Sequence, residues 1–175
     1  MRSVPMLLAA AALSACASGK SSERERLGDI RLVPYGDPGA VVRVFSVQRG
    51  RIVSPDVDVV LDPDGCIRGT VPGGGVEVCS KAPPPPLEPG DRVETWSGNG
   101  GNFTVELTKG GNEMRMDGFL RPTGGLTVPM NATIPLGQGP AWDELRRHPA
   151  LLAIAAAVAG LRGEPDQQAR ERITG

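Results

Sequence analysis

Between residues 29 and 137, short β-like runs and turn signals alternate at intervals of about 8–12 residues. A chain satisfies that rhythm by folding back on itself repeatedly in an antiparallel sheet. The spacing predicts strands over 30–33, 41–48, 51–54, 57–62, 66–71, 76–81, 92–96, 102–108, 114–120 and 126–134. Turn-forming clusters at 36–39, 62–65, 98–101, 110–112 and 124–125 separate many of them. They draw on 24 glycines and 17 prolines among 175 residues. Phe103, Val105 and Leu107 share one parity, and Thr104, Glu106 and Thr108 the other, as in a half-buried strand. Met130, Ala132 and Ile134 alternate with Pro129, Asn131, Thr133 and Pro135. Prolines cannot donate to a ladder, so this strand belongs at an edge or carries bulges. The fold class expected is all-β, an antiparallel sandwich or small barrel, followed by a C-terminal helix.

The pattern changes near Gly139-Pro140. One or two helical turns are expected over 141–147, and Pro149 suits the start of a second helix over 150–161. That helix is apolar all round, with Leu151, Ile154, Ala155, Val158 and Leu161 as its strongest stripe. At about 1.5 Å per residue it is too short to cross a bilayer. It is expected to pack on the open face or end of the sheet; resting on lipid is the alternative. Pro83 to Pro86 read as a stiff polyproline-II spacer between two halves. The segments 64–70 and 117–123 look alike, either as a duplicated β unit or by coincidence in a glycine-rich chain.

The N-terminus carries an address. Arg2 is followed by an apolar stretch to Ala12, then by Leu13-Ser14-Ala15-Cys16. This order resembles the signal and lipobox of bacterial lipoprotein precursors over residues 1–16. The resemblance implies that Leu13, Ser14 and Ala15 serve signal-peptidase recognition, that the chain is cut before Cys16, and that Cys16 is lipidated. Two or more acyl chains would anchor it stably in a membrane. Ala17 and Ser18, rather than an aspartate, follow the cysteine, which implies the outer membrane, facing the periplasm. The expected organisation is a signal peptide over 1–15, a lipidated tether over 16–28, a β domain over 29–137, a helical segment over 138–162 and a polar tail over 163–175.

Setting the anchor aside leaves Cys66 and Cys79, an even pair in an oxidising compartment. With Pro72-Gly73 as a two-residue turn, Cys66 falls opposite Cys79, Ile67 opposite Val78 and Arg68 opposite Glu77. One register thus satisfies a disulfide, an apolar pair and a charge pair.

Catalytic signatures are sparse. His148 is the sole histidine, and no serine elbow, zinc-binding helix or P-loop is present. Asp56, Asp58, Asp62 and Asp64 share a parity and form a weak calcium candidate, since calcium takes six to eight oxygens; a solvated strand face and an Asx turn explain them without metal. With 19 basic and 20 acidic residues the chain lacks the excess of positive charge typical of nucleic-acid binders. Aromatic residues at 3% argue against a stacking platform. The expectation is a non-enzymatic, cofactor-free envelope lipoprotein with a scaffold or protein-binding role. The alternative is a periplasmic carrier of a small apolar ligand or lipid.

Overall fold

The structure is a computed structural model that describes residues 24–34, 41–81 and 92–161. Ten strands follow one another: β1 (Arg26–Leu32), β2 (Arg43–Gln48), β3 (Arg51–Ser54), β4 (Val57–Leu61), β5 (Cys66–Val71), β6 (Gly74–Ser80), β7 (Arg92–Gly98), β8 (Gly101–Leu107), β9 (Glu113–Leu120) and β10 (Val128–Pro135). Two helices follow among the described residues, α1 (Pro140–Arg147) and α2 (Pro149–Val158). Each strand pairs antiparallel with the next, so the spatial order is the chain order and all ten belong to one sheet. The expected antiparallel all-β fold with a C-terminal helical part is the observed one, and of its two forms the single sheet takes the barrel-like one. It is an up-and-down half-barrel, with β1 and β10 as its two edges.

The expected hairpin register is the observed one. Cys66 lies opposite Cys79, Ile67 opposite Val78 and Arg68 opposite Glu77, and a disulfide joins the two cysteines. Ile67 and Val78 face the core, while the Arg68 guanidinium meets Glu77 on the outer face at 2.9 Å. Pro129 and Pro135 do sit on an edge strand, as their missing N–H groups require.

The ladder is shortest between β6 and β7, where Cys79 pairs with Ser97 and Ser80 with Trp96. Here Gly98 and Gly100 lie against the backbone of Glu77; a Cβ on either would come within 2.5 or 2.6 Å of it. This close approach forms a corner between β1–β6 and β7–β10, and the sheet curls there.

The curl encloses α2. The helix touches β3 and β4 on one side and β8, β9 and β10 on the other. Residues 149–157 are all buried, so the helix has no solvent face. This explains why it is apolar all round: a helix surrounded by sheet has no side on which to place charge. Ala153, Ala155, Ala156 and Ala157 keep it slim, and Leu151, Leu152 and Ile154 share one buried core with Phe45, Ile52, Phe103 and Met130 of the sheet. The helix does pack on the sheet, as expected, but against its concave face and with every residue of 149–157 buried, which leaves no side for lipid. It is the centre of the core.

Other boundaries shift for local reasons. α2 stops at Val158, short of the expected 161, because Gly160 adopts φ +72°. Gly160 N–H donates to Ala157 and Leu161 N–H donates to Ala156, both at 3.0 Å, which closes the helix end with a Schellman motif. β1 starts at Arg26, inside the stretch assigned to the tether, because Glu25 already accepts a bond from Arg49 N–H at 3.1 Å. The two look-alike segments are not equivalent: Asp64 precedes β5 in a turn, whereas Asp117 lies inside β9. The expected polyproline spacer over 83–86, the expected 36–39 turn, the expected signal peptide and most of the expected tether, and the expected tail after 161 lie outside the described residues.

Two outcomes follow from this packing. Replacing Leu151 or Ile154 by alanine is expected to cost about 2–5 kcal/mol in urea unfolding, as for any large buried aliphatic; a lipid-facing helix would lose far less. Replacing Cys66 and Cys79 together by alanine opens a 14-residue loop and is expected to cost about 3 kcal/mol, read as a lower unfolding midpoint.

Candidate functional site

Antiparallel strands alternate between groups bonded to one neighbour and groups bonded to the other. This alternation tells which backbone groups at the sheet edges are free of it. Arg49 N–H donates to Glu25, so the odd positions of β2 face β1; Phe45 and Arg43 then meet Ile30 and Leu32. Asp29 and Arg31 are left pointing their backbone groups away from the sheet. At the other edge, Leu136 N–H donates to Asn112, so even positions bond toward β9. Asn131 and Thr133 then turn their N–H and C=O groups outward, and Pro129 and Pro135 offer carbonyls only.

These two edges flank a cleft of about 930 Å³. Arg31, Leu32 and Val33 line one wall, and residues 131–137 the other. Trp142 of α1 and Leu161, just past α2, contribute to the same lining, and Glu113 adds a carboxylate. The cleft is a seam in the unclosed barrel, and Leu32, Ala132, Ile134 and Leu161 of its lining also belong to the core around α2. Beside it, on the outer face of β2 and at the ends of β1 and β2, Val33, Val42 and Val44 are 55%, 46% and 45% exposed. That is an apolar patch continuous with the seam.

The four aspartates of the calcium candidate are placed on the outer surface, but they do not converge. Arg43 binds Asp56 at 2.9 Å, Arg51 binds Asp58 at 2.6 Å, and Arg68 binds both Asp62 (2.9 Å) and Asp64 (2.7 Å). Hydrogen bonding from Arg51 holds the Asp58 carboxyl below its usual range, and Arg68 does the same for Asp64. Where a cation would have to sit among Asp62, Asp64 and Glu77, the Arg68 guanidinium already sits. No group of three or more metal-ligating side chains converges among the described residues. Cys66 and Cys79 form the disulfide, and Leu13, Ser14, Ala15 and Cys16 lie outside the described residues.

Sequence reasoning missed a buried ionic cluster. Glu144, 2% exposed on α1, accepts the N–H of Gly50 at 2.7 Å and an Arg147 guanidinium at 2.9 Å. Its carboxylate lies 3.6 Å from His148 Nε2. Glu94, also buried, pairs with Arg92 and accepts the Trp96 indole N–H at 3.2 Å. Arg92 in turn donates to the Arg147 carbonyl at 2.5 Å. These bonds fasten the α1–α2 joint to the β2–β3 turn and to β7. The alternation V-E-T-W over 93–96 carried a signal, since Glu94 shares the parity of Trp96. Glu144 lay hidden in an ordinary charged helix.

No family model, curated protein or solved structure matches this chain. No helix among the described residues is long and apolar enough to cross a membrane.

Burial pushes the His148 imidazole below its ordinary value, against the pull of Glu144. The neutral form is thus favoured in the folded chain, and the unfolded chain binds the proton more readily. Stability is expected to be complete above about pH 6.5, and to decline as pH falls from there toward the folded value. His148→Gln should flatten that part of the curve in thermal unfolding between pH 7.5 and 5.

Proposed function

We propose that this protein is a lipid-anchored envelope lipoprotein, held by Cys16 at the outer membrane, whose folded part binds another protein rather than catalysing a reaction. One observation carries the reading. Among the described residues α2 lies buried within the sheet, and a cleft lies at the seam, between two strand edges with outward-pointing backbone groups and beside an exposed valine patch. A site lined by ladder donors and acceptors suits an extended polypeptide, which pairs with them as an added strand. The lipid-carrier alternative calls for an apolar cavity enclosed by the sheet, and α2 takes that place.

Two cations and two prolines shape the edges. Arg26 pairs with Asp29 at 2.8 Å along β1, and Arg31 stands in the seam wall. Pro129 and Pro135 remove two donors from β10, so β1 is the fuller edge for pairing. Charges and prolines of this kind also limit indiscriminate edge-to-edge association.

The test is a photo-crosslinking amino acid placed at Val33 or Val44, with Val93 on the outer face of β7 as control, in intact cells. A discrete protein adduct at Val33 and Val44 but not at Val93 is expected. Lipid adducts at the seam, without a protein adduct, would overturn the reading in favour of the carrier.

A further inference from the structure

We propose that β1 is a self-pairing edge: two copies of this chain join antiparallel along it, Asp29 of each opposite Arg31 of the other, so that the two sheets become continuous. The proposal rests on the reading of the seam as a place for an added strand, and it names that strand.

The first argument is charge. Among the described residues β1 has a neighbouring strand on one side only. Asp29 and Arg31 turn their N–H and C=O groups to the other side. In an antiparallel ladder two residues of this kind meet as a pair and exchange both bonds. Around a two-fold axis these two can be matched in three ways: Asp29 on Asp29, Arg31 on Arg31, or Asp29 on Arg31. The first sets two carboxylates opposite each other and the second two guanidiniums, and like charges directly opposite repel. The third sets unlike charges opposite, and does so on both sides of the axis because the contact repeats itself.

The second argument is length. A bulge between Arg26 and Gly28 interrupts the register of β1, which leaves Gly28 to Leu32 as its regular part. Ile30 is the middle of that run. Matching Asp29 with Arg31 puts Ile30 on the axis, sets Gly28 opposite Leu32, and pairs the whole run. Either like-charge match moves the axis one residue along and leaves one end unpaired. Charge and length thus select the same register.

The third argument is the setting of the side chains. Asp29 and Arg31 are both exposed on the outer face. Asp29 is already met by Arg26 at 2.8 Å, and this hydrogen bonding holds its carboxyl below the usual range. A carboxylate has about four acceptor positions, so a guanidinium from the second copy joins the first without displacing it. On β10, by contrast, Pro129 and Pro135 interrupt the outward row of donors.

The test is sedimentation of the full chain over a range of concentrations, with a dimer expected. Asp29→Arg and Arg31→Asp each place like charges opposite and are each expected to weaken the dimer about ten-fold. Mixing the two variants restores unlike pairs and should give a mixed dimer about as tight as the original. Hydrogen exchange of the unaltered chain gives a readout that needs no variant: the Asp29 and Arg31 amides should slow as concentration rises, and those of Asn131 and Thr133 should not. A chain that stays monomeric, or a dimer that neither substitution weakens, overturns the proposal. So does slow exchange at Arg31 that is independent of concentration, because something other than a second copy then covers the edge. A crosslink from Val33 to a different protein, in a chain that stays monomeric, leaves the docking reading standing and sinks this one. A dimer of this register with no crosslink to a different protein does the reverse.

Discussion

The burial of α2 on every side is the constraint from which the architecture follows. A ten-stranded meander has an inner face too wide to close on itself without a filling, and this chain fills it with ten residues that carry no charge. Once the helix occupies the middle, the sheet bends round it at the β6–β7 corner, where Gly98 and Gly100 permit backbone contact with Glu77. The alanines set how near the strands approach. The leucines and isoleucine set how much apolar surface leaves water. The helix also sets the limit of closure. The sheet wraps far enough to cover it, but β1 and β10 remain unpaired with each other, and the seam is what is left between them.

Polar groups are distributed to match. The outer face carries arginine–carboxylate pairs across β2 to β6, partly solvated and individually worth little. The buried pair of carboxylates is different in kind. Glu94 and Glu144 lie where the helices meet the sheet and are met there by Arg92, Arg147, Trp96 and the Gly50 amide. Their protein partners replace the water they lose. They hold α1 at one end of the barrel, and α1 places Trp142 in the seam lining. The same arrangement that anchors the joint thus shapes one wall of the candidate site.

Much of the sheet was legible because its signals are local. Alternation along 103–107 and 130–134, and turn residues between runs, depend only on neighbours in sequence. The Cys66–Cys79 register was legible because two faces and a two-residue turn had to agree at once. The edge position of β10 followed from two prolines. Glu144 and the seam were not legible in the same way. Glu144 looks like any exposed helical acid until the β2–β3 turn is brought to it from 94 residues away. The seam is bounded by the first strand and the last, together with α1 and Leu161 just past α2, and no local window contains them.

The amino-acid sequence alone determined the strand rhythm, the hairpin clasp and the apolar character of the last helix, since each depends on residues close along the chain. Tertiary structure decided that all ten strands form one sheet, that the helix is buried within it, and that the outer aspartates pair with arginines. It also placed a cleft between the sheet's two edges, beside the core that α2 fills. These are outcomes of competition for the same buried volume among segments far apart in sequence, and that competition is settled only when the whole chain packs.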